Sequence, residues 1–332
     1  MRIAPILLLS VSIPSFGDSP PIAKRDAALK SINTCMQRNE VSSRKCRNLN
    51  ANVETLVEVY KQGDKSVLST LFRFTYLTDF YGEALLADPD GFLGALSQLQ
   101  EKDQKAVAAG IAGPMVGLRS KERFEAIRAA LNGVPDTAPL KATSQRCLKT
   151  LERKNAAFFR TYFPPQTFAS AAADFQVRWY SAEMYALGEK PLWPPSTGPG
   201  ATYRLTYIPA FSGPTFITLS VPPDGKGQVA IKTIDGEREV INTDENRSAS
   251  RDQLDRFSAF LEGARYWTTP TELPRTGLDG AEWILEGVMN GKYRVVVRWC
   301  PDIERKSDEE IPFAKACHLL FEMAGHKHVD GC

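Results

Sequence analysis

The stretch GLDGAEWILEGVMNGKYRVVVRWCPD, residues 277–302, decides the fold of the second half of the chain. Two runs rich in β-branched and aromatic residues flank the dipeptide Asn290-Gly291, which is a strong local signal for a β-hairpin. Successive side chains of a strand point to opposite faces, so the length of the turn decides which side chains share a face.

A two-residue turn formed by Asn290 and Gly291 is the first possibility. It places Glu282 opposite Trp299 and Glu286 opposite Val295, so both carboxylates lie among apolar side chains. Burial of an ionised carboxylate without a partner is costly. The hairpin alone offers no cation on that face, and the charge pattern therefore disfavours this register.

A three-residue loop, residues 289–291 with Gly291 in the left-handed conformation, is the alternative. It pairs Glu286 with Arg294 and Glu282 with Arg298 as exposed cross-strand ion pairs. The other face then collects the apolar residues Trp283, Leu285, Tyr293, Val295, Val297 and Trp299. We therefore expect the three-residue loop, and we interpret the glutamates as structural rather than catalytic.

Further short strands surround this hairpin in the sequence. Alternating runs occur at residues 202–208, 215–221, 227–234 and 237–242, and helical patterns follow at 251–263 and 312–324. Strands grouped apart from helices predict an α+β domain, residues 201–325, with an antiparallel sheet covered on one face by helices.

The first part of the chain is helical in pattern. Residues 18–140 carry helix-start signals at Ser43, Asp64, Asp88 and Ser120, which predicts a helical bundle. Its most apolar run, residues 65–86, is predicted to form one central helix. Asp79 and Glu83 lie one turn apart on that helix, either as a carboxylate pair or, more commonly, as part of a solvent-facing stripe.

Residues 141–200 are predicted to be a helical connector that ends in the Pro/Gly-rich linker KPLWPPSTGPG, residues 190–200. We place the main domain boundary there. Trp193 and Trp267 occur in loop-like contexts and are candidates for stacking on a glycan, although such residues are more often core or interface anchors.

The amino terminus predicts export. Residues 1–17 combine Arg2, an apolar run over residues 3–13 and the small-x-small triplet Ser15-Phe16-Gly17, as a cleaved signal peptide does. No later segment is long and apolar enough for a membrane anchor. The chain of 332 residues has 41 basic and 39 acidic side chains, a net charge of +2, which provides no strong field for nucleic acid. We expect a secreted or periplasmic protein.

Six cysteines in an exported chain favour disulfides. The spacing suggests Cys35 with Cys46 across a helical hairpin and Cys300 with Cys317 between a strand and the last helix. Cys147 and Cys332 are left without an assigned partner.

The polar tail, residues 326–332, holds His326, His328, Asp330 and Cys332, which form a weak candidate metal site. A frayed terminus is the commoner explanation of such a tail. Motifs for zinc peptidases, phosphate-binding loops and dinucleotides are missing, so we expect neither a metal nor a cofactor.

The runs GLDGAEWILEG and GKYRVVVRWCPD, together with YRLTYIPAFSGPTFITLSV upstream, resemble a domain of exported bacterial proteins of uncharacterised function. The resemblance covers about Tyr203 to Gly325, and implies a shared fold and a bacterial origin but no activity. That pattern often has His beside Tyr before its last strand, whereas this chain has Tyr293-Arg294.

The functional expectation is a non-catalytic binding protein whose ligand is an envelope protein, a peptide or a glycan. The alternative is a hydrolase with an acidic site between the two halves, using residues such as Asp79, Glu83 or Asp279. Converging carboxylates in a cleft would favour the hydrolase.

Overall fold

The computed structural model describes residues 21–37, 49–72, 78–113, 117–118, 120–136, 139–169, 172–235, 240–273, 277, 279–302 and 308–326. Helices fill the first part of the chain and an antiparallel sheet the last part, which confirms the α+β class. Among these residues, no helix has both the length and the apolar character needed to cross a bilayer.

The helices of the described chain are α1 (Pro21–Gln37), α2 (Leu49–Lys61), α3 (Val67–Leu71), α4 (Thr78–Ala87), α5 (Pro89–Ser97), α6 (Glu101–Ile111), α7 (Lys121–Asn132), α8 (Lys141–Lys154), α9 (Ala173–Ala186), α10 (Arg251–Gly263) and α11 (Glu310–Met323). Asp88 caps α5 by accepting a hydrogen bond from the Gly91 amide, and Ser120 accepts one from the Arg123 amide at the start of α7. These two start signals were correctly predicted because a cap acts through local hydrogen bonds.

The predicted central helix over residues 65–86 is wrong. Helix α3 ends at Leu71, and α4 starts at Thr78. The Tyr81 hydroxyl donates a hydrogen bond of 2.8 Å to the carbonyl oxygen of Leu71, and the rings of Phe72 and Phe92 meet edge to face at 5.2 Å. The aromatic residues that made the run look like one apolar helix therefore pack α3, α4 and α5 against one another.

The chain divides into two compact units. Among the described residues, the first unit holds those up to Pro114 and from Glu125 to Leu148, and the second holds those from Met115 to Phe124 and from Lys149 onward. The sequence placed the boundary near residue 200, after the Pro/Gly-rich segment. In the structure that segment and α9 belong to the same unit as the sheet.

In the described part of the second unit, six strands form the sheet: β1 (Ala201–Pro209), β2 (Thr215–Val221), β3 (Gln228–Asp235), β4 (Val240–Ser248), β5 (Ala281–Met289) and β6 (Lys292–Trp299). Their order is β4-β3-β2-β1-β5-β6, with antiparallel neighbours throughout. The first strand of the domain is thus central, and it brings β1 side chains next to the β5–β6 hairpin.

Both faces of the sheet are covered, which corrects the expectation of a single covered face. On one side α10 and α11 pack on Trp283, Leu285 and Val296. On the other side α9 and the segment before it pack on Ile284, Val295 and Val297, with the buried residues Tyr162, Phe163, Phe168, Tyr180, Met184 and Leu187. Adjacent residues of β5 are therefore buried in opposite directions, as in a sheet between two helical layers.

The predicted three-residue loop is also wrong. Met289 pairs with Lys292, so the turn contains only Asn290 and Gly291, whose φ angles of 51° and 73° suit a type I′ turn. In this register Glu286 is opposite Val295 and Glu282 is opposite Trp299.

The predicted ion pairs of Glu286 with Arg294 and of Glu282 with Arg298 therefore do not form across the hairpin. Arg294 and Arg298 lie on the opposite face from the two glutamates. The structure adopts the register that the hairpin sequence made costly, and for Glu286 the compensating cation, Arg204, comes from outside the hairpin.

The outer edge of β6 is covered by residues 269–273, which follow α10 and which we call the covering segment. The Val297 amide donates a hydrogen bond of 2.7 Å to the Thr271 carbonyl oxygen. Arg294 and Arg298 donate side-chain hydrogen bonds to the Thr269 and Pro270 carbonyl oxygens, respectively. The basic side chains thus fasten the covering segment to an edge strand that would otherwise expose unpaired backbone groups.

The predicted Cys300–Cys317 disulfide does not form, since Cys317 is a free and fully buried thiol on α11. Burial raises the pKa of Cys317 well above its usual value. Cys147 is likewise free and buried. Cys46 and the side chain of Cys35 lie outside the described residues, so the Cys35–Cys46 disulfide remains a prediction. The signal peptide, residues 1–17, also lies outside the described residues and remains a prediction.

Candidate functional site

A buried ion pair connects the central strand to the hairpin. Arg204 on β1 donates from Nε and Nη2 to one oxygen of Glu286 on β5, at 2.8 and 2.6 Å. The Tyr293 hydroxyl donates to the other oxygen at 2.9 Å. Arg204 is 1% exposed and Glu286 is 0% exposed. Each carboxylate oxygen therefore has a donor in a place that excludes water.

The network continues from Arg204 to the residues after α9. Arg204 Nη1 donates to the Lys190 carbonyl oxygen at 2.7 Å and approaches Glu189 at 3.2 Å. Lys232 on β3 forms an ion pair with Glu189 at 2.8 Å. Burial lowers the pKa of Arg204, but the charges of Glu286 and Glu189 raise it above its usual value, so the guanidinium stays ionised.

This network holds the start of the Pro/Gly-rich segment against the sheet. The Tyr162 hydroxyl adds a hydrogen bond of 3.2 Å to the Glu189 carbonyl oxygen, and the ring of Trp193 packs edge to face on Tyr293 with centroids 5.7 Å apart. Tyr293 in turn is bound to Glu286. The segment that the sequence describes as a linker is thus a docked part of the second unit.

An open groove of about 640 Å³ lies beside this docked segment. Its lining residues come from two stretches of the chain, Phe159, Arg160 and Thr161 before α9 and Pro191, Trp193 and Pro194 after it. The peptide bond between Trp193 and Pro194 is cis. We refer to this feature, defined by these six residues, as the aromatic groove.

Phe159 and Arg160 pack on further aromatic residues. Phe159 stacks on Phe124 with centroids 5.8 Å apart and meets Tyr185 edge to face at 5.4 Å. The guanidinium of Arg160 lies over the ring of Tyr185 at 5.6 Å, while its side chain is exposed. Within the described part of the chain, Arg160 has no ion pair, so its charge faces the groove and solvent.

A second feature lies at the other end of β5. A small cavity of about 30 Å³ is lined by residues of α9, the covering segment, the hairpin and α11: Gln176, Glu272, Leu273, Glu282, Val297, Arg298, Trp299 and Glu310. We call it the carboxyl cavity. Glu272 accepts hydrogen bonds from Gln176 Nε2 at 2.5 Å and from the Ala169 amide at 3.2 Å.

Glu282 differs from the other carboxylates of the cavity. Burial raises its pKa to about 7, and the negative charge of Glu272 acts in the same direction, while the Tyr180 hydroxyl opposes them. Arg298 lines the same cavity, but its Nη atoms donate to oxygens of Thr269, Pro270 and Thr271. The Arg298 guanidinium thus binds the covering segment rather than Glu282.

The acidic residues named from sequence do not form a cleft in the described residues. Glu83 forms an ion pair of 3.8 Å with Lys61 and is 40% exposed, as expected of a solvent-facing stripe. Asp79 lies on α4, but its side chain is outside the described part. Asp279 is exposed before β5.

Trp193 contributes to the aromatic groove, whereas Trp267 does not. Trp267 packs against Tyr266 at 5.2 Å and against the core under α10 and α11, so it is a structural residue. His326 is exposed after α11, and His328, Asp330 and Cys332 lie outside the described residues. Among the residues the structure describes, no three His, Cys, Asp or Glu side chains are arranged to hold a metal ion.

Sequence analysis missed Arg160, Arg204, Glu189 and Glu272. Arg160 follows two phenylalanines in AAFFR, which is a local signal for a cation beside aromatic rings. Arg204 is the one charged residue of the predicted strand at residues 202–208, and a lone charge in a strand that contributes to a core is a signal for a buried partner. Nothing in the local sequence marks Glu272, which meets Glu282 only through the packing of the covering segment.

No known protein-family model matches the chain, and no curated protein is significantly similar to it. The geometry of these sites therefore carries the functional argument.

Proposed function

We propose that this protein is an exported, non-catalytic glycan-binding protein whose aromatic groove takes a sugar with a carboxylate group. The observation that carries the proposal is the groove itself, an open space of about 640 Å³ lined by both Trp193, which packs on Tyr293, and Arg160, which forms no ion pair with any described residue.

Trp193 supplies an apolar platform for a sugar ring. The C–H face of a pyranose is apolar, and it stacks on a large aromatic ring whose position is already fixed. Trp193 is only half-buried, and the edge-to-face contact with Tyr293 orients it before any ligand arrives. A pre-oriented side chain loses little conformational entropy on binding.

Arg160 supplies selectivity for an acidic sugar. A guanidinium presents a planar pair of donors that match a carboxylate, and stacking on Tyr185 restricts its motion. Thr161, the next residue, adds a hydroxyl for the sugar hydroxyls. An ion pair at such an exposed position contributes only modestly to the free energy of binding. Affinity therefore depends mainly on stacking on Trp193, and preference for an acidic over a neutral sugar depends on Arg160.

Binding fits the geometry better than hydrolysis does. The cavity that Glu272 and Glu282 line together has a volume of only about 30 Å³. That volume is about the share of one water molecule in the liquid, far too small for a sugar ring. The aromatic groove, which is large enough, has no carboxylate among its lining residues.

Export is part of the proposal and rests on the signal-like pattern of residues 1–17. An open groove with an aromatic platform suits a polymer that passes through it, as an envelope polysaccharide does. The proposal favours this ligand over an envelope protein or a peptide.

The test is calorimetric titration of the purified full chain with a galacturonic acid hexasaccharide and with its methyl ester, which keeps the rings but removes the charge. We expect Trp193→Ala to weaken binding of both ligands about tenfold or more, because the platform is lost. Arg160→Met should weaken only the acidic ligand, by about threefold to tenfold, and remove its dependence on salt.

Phe211→Ala is the matched control, since Phe211 is an exposed aromatic residue outside the groove, at 85% exposure. It should bind both hexasaccharides as the unmodified protein does. Equal affinities of the unmodified protein and Trp193→Ala, or no binding of either ligand, would refute the proposed function.

A further inference from the structure

The carboxyl cavity is distinct from the aromatic groove. It brings together four parts of the second unit: Gln176 and Tyr180 on α9, Glu272 in the covering segment, the hairpin strands β5 and β6, and Glu310 on α11. A change of charge inside it therefore acts on contacts among all four.

The charges around Glu282 are unbalanced. Glu272 already accepts hydrogen bonds from the Gln176 side chain and the Ala169 amide. Arg298 also lines the cavity, but its Nη atoms donate hydrogen bonds to the covering segment. Burial lowers the pKa of Arg298, and the negative charges of Glu310 and Glu309 partly offset this effect. Ionised Glu282 would therefore add a negative charge beside Glu272, and no cation among the described residues is bound to it.

The cavity also holds an unused donor. The Nε–H of Arg298 has no hydrogen-bond partner, although Arg298 is only 4% exposed and lines the cavity. A volume of about 30 Å³ is large enough for a water molecule. Water bound by this donor would give Glu282 a route for proton exchange without opening the sheet.

We propose that Glu282 is a proton-binding site whose proton holds the start of α9 and the covering segment against the β5–β6 hairpin. With the proton bound, Glu282 is neutral and Glu272 keeps its donors. Loss of the proton places negative charges on both Glu282 and Glu272, which line the same small cavity. The repulsion weakens the contacts of α9 and of the covering segment with the hairpin, and the weaker of these two contacts opens. The direction of the pKa shift of Glu282 agrees with this coupling.

The covering segment is the part that we expect to detach when Glu282 loses its proton. Its attachment to β6 consists of the Val297 amide bond to Thr271 and the side-chain bonds from Arg294 and Arg298. It has no regular secondary structure of its own over residues 270–273. Local opening of such a segment exposes the Val297 amide without unfolding the sheet.

The experiment measures proton binding and opening in the full chain. Carboxyl ¹³C NMR with labelled glutamate follows the titration of Glu282, identified by its loss in Glu282→Gln. Hydrogen exchange measured by mass spectrometry follows residues 268–273 and 293–299 between pH 6 and pH 8. After correction for intrinsic exchange, we expect opening to rise about tenfold in the unmodified protein and to stay constant in Glu282→Gln.

Glu262→Gln, an exposed carboxyl on α10 of the same unit, is the control and should behave as the unmodified protein does. A titration midpoint of Glu282 below about 5 would overturn the proposal. So would a midpoint near neutrality with exchange of residues 268–273 and 293–299 that does not change with pH. The NMR titration of the unmodified protein decides the first point even where Glu282→Gln fails to fold.

Discussion

Two glutamates of strand β5, four residues apart on the same face, have opposite surroundings, and Glu286 is fully buried whereas Glu282 is half-buried. Glu286 has Arg204 and Tyr293 as donors, and Arg204 is itself bound to the start of the docked segment. Glu282 has Glu272 as its charged neighbour, and burial raises its pKa to about 7. The same residue type in the same strand thus has a dedicated cation at one end and a neighbouring carboxylate with a raised pKa at the other.

The difference shows what a buried carboxylate needs. Desolvation penalises both groups, and only a dedicated cation with good hydrogen bonds offsets that penalty. Arg204 reaches Glu286 because β1 pairs directly with β5, where the two residues are register partners. The register partner of Glu282 on β1 is Ile208, which offers no charge.

The largest expected effect comes from removing the charge of Glu286, the glutamate that is paired with Arg204. Glu286→Gln should lower the free energy of unfolding by about 3 to 5 kcal/mol, because it leaves the buried Arg204 with Glu189, at 3.2 Å, as its remaining carboxylate partner. Chemical denaturation measures the loss. The double variant Arg204→Met/Glu286→Met should be less destabilised than Glu286→Gln, since it removes both charges together. A loss below about 1 kcal/mol in Glu286→Gln would mean that the pair is solvated.

An intermediate effect is expected at the uncompensated end, and it depends on pH. The folded pKa of Glu282, about 7, exceeds the ordinary value of 4.5, so the folded state holds the proton more tightly. The resulting stabilisation is complete below pH 4.5 and is lost as the pH rises through 7, by on the order of 3 kcal/mol in total. Glu282→Gln should remove this part of the pH dependence in denaturation curves. An unchanged pH profile would show that Glu282 is solvated in the folded state.

The smallest effect concerns the turn that sets the register of both glutamates. Gly291→Val should destabilise by about 1 to 2 kcal/mol, because a β-branched residue is strained at a φ of 73°. A Cβ added at Gly291 would meet no atom within 4 Å apart from its chain neighbours, so the loss arises from the backbone rather than from a clash. Gly94→Val, also in open space but on α5, controls for side-chain volume and reports helix propensity alone. A neutral Gly291→Val would contradict the type I′ turn.

Local patterns predicted the elements of the second unit well. The helix expected at residues 251–263 is α10 to the residue, and the Ser250 capping box explains why its start was readable. The strand expected at residues 215–221 is β2. Turns and caps act over three or four residues, so the sequence displays them directly.

Hairpin register and the candidate sites could not be predicted in the same way. The charge pattern of residues 277–302 favoured a three-residue loop only because Arg204 and the cover formed by α9 lay outside that stretch. Trp193 was named as an aromatic candidate, but Arg160 joins it in the groove only after the Pro/Gly-rich segment docks.

By itself, the sequence determined the α+β class, the positions of most helices and strands, and the presence of a hairpin at Asn290-Gly291, because these depend on residue propensity and short-range hydrogen bonds. The tertiary structure decided which face of β5 its glutamates occupy and which of them receives a cation. The burial cost of a charge is set by the groups that surround it in space, and those groups come from residues more than 80 positions away in the case of Glu286.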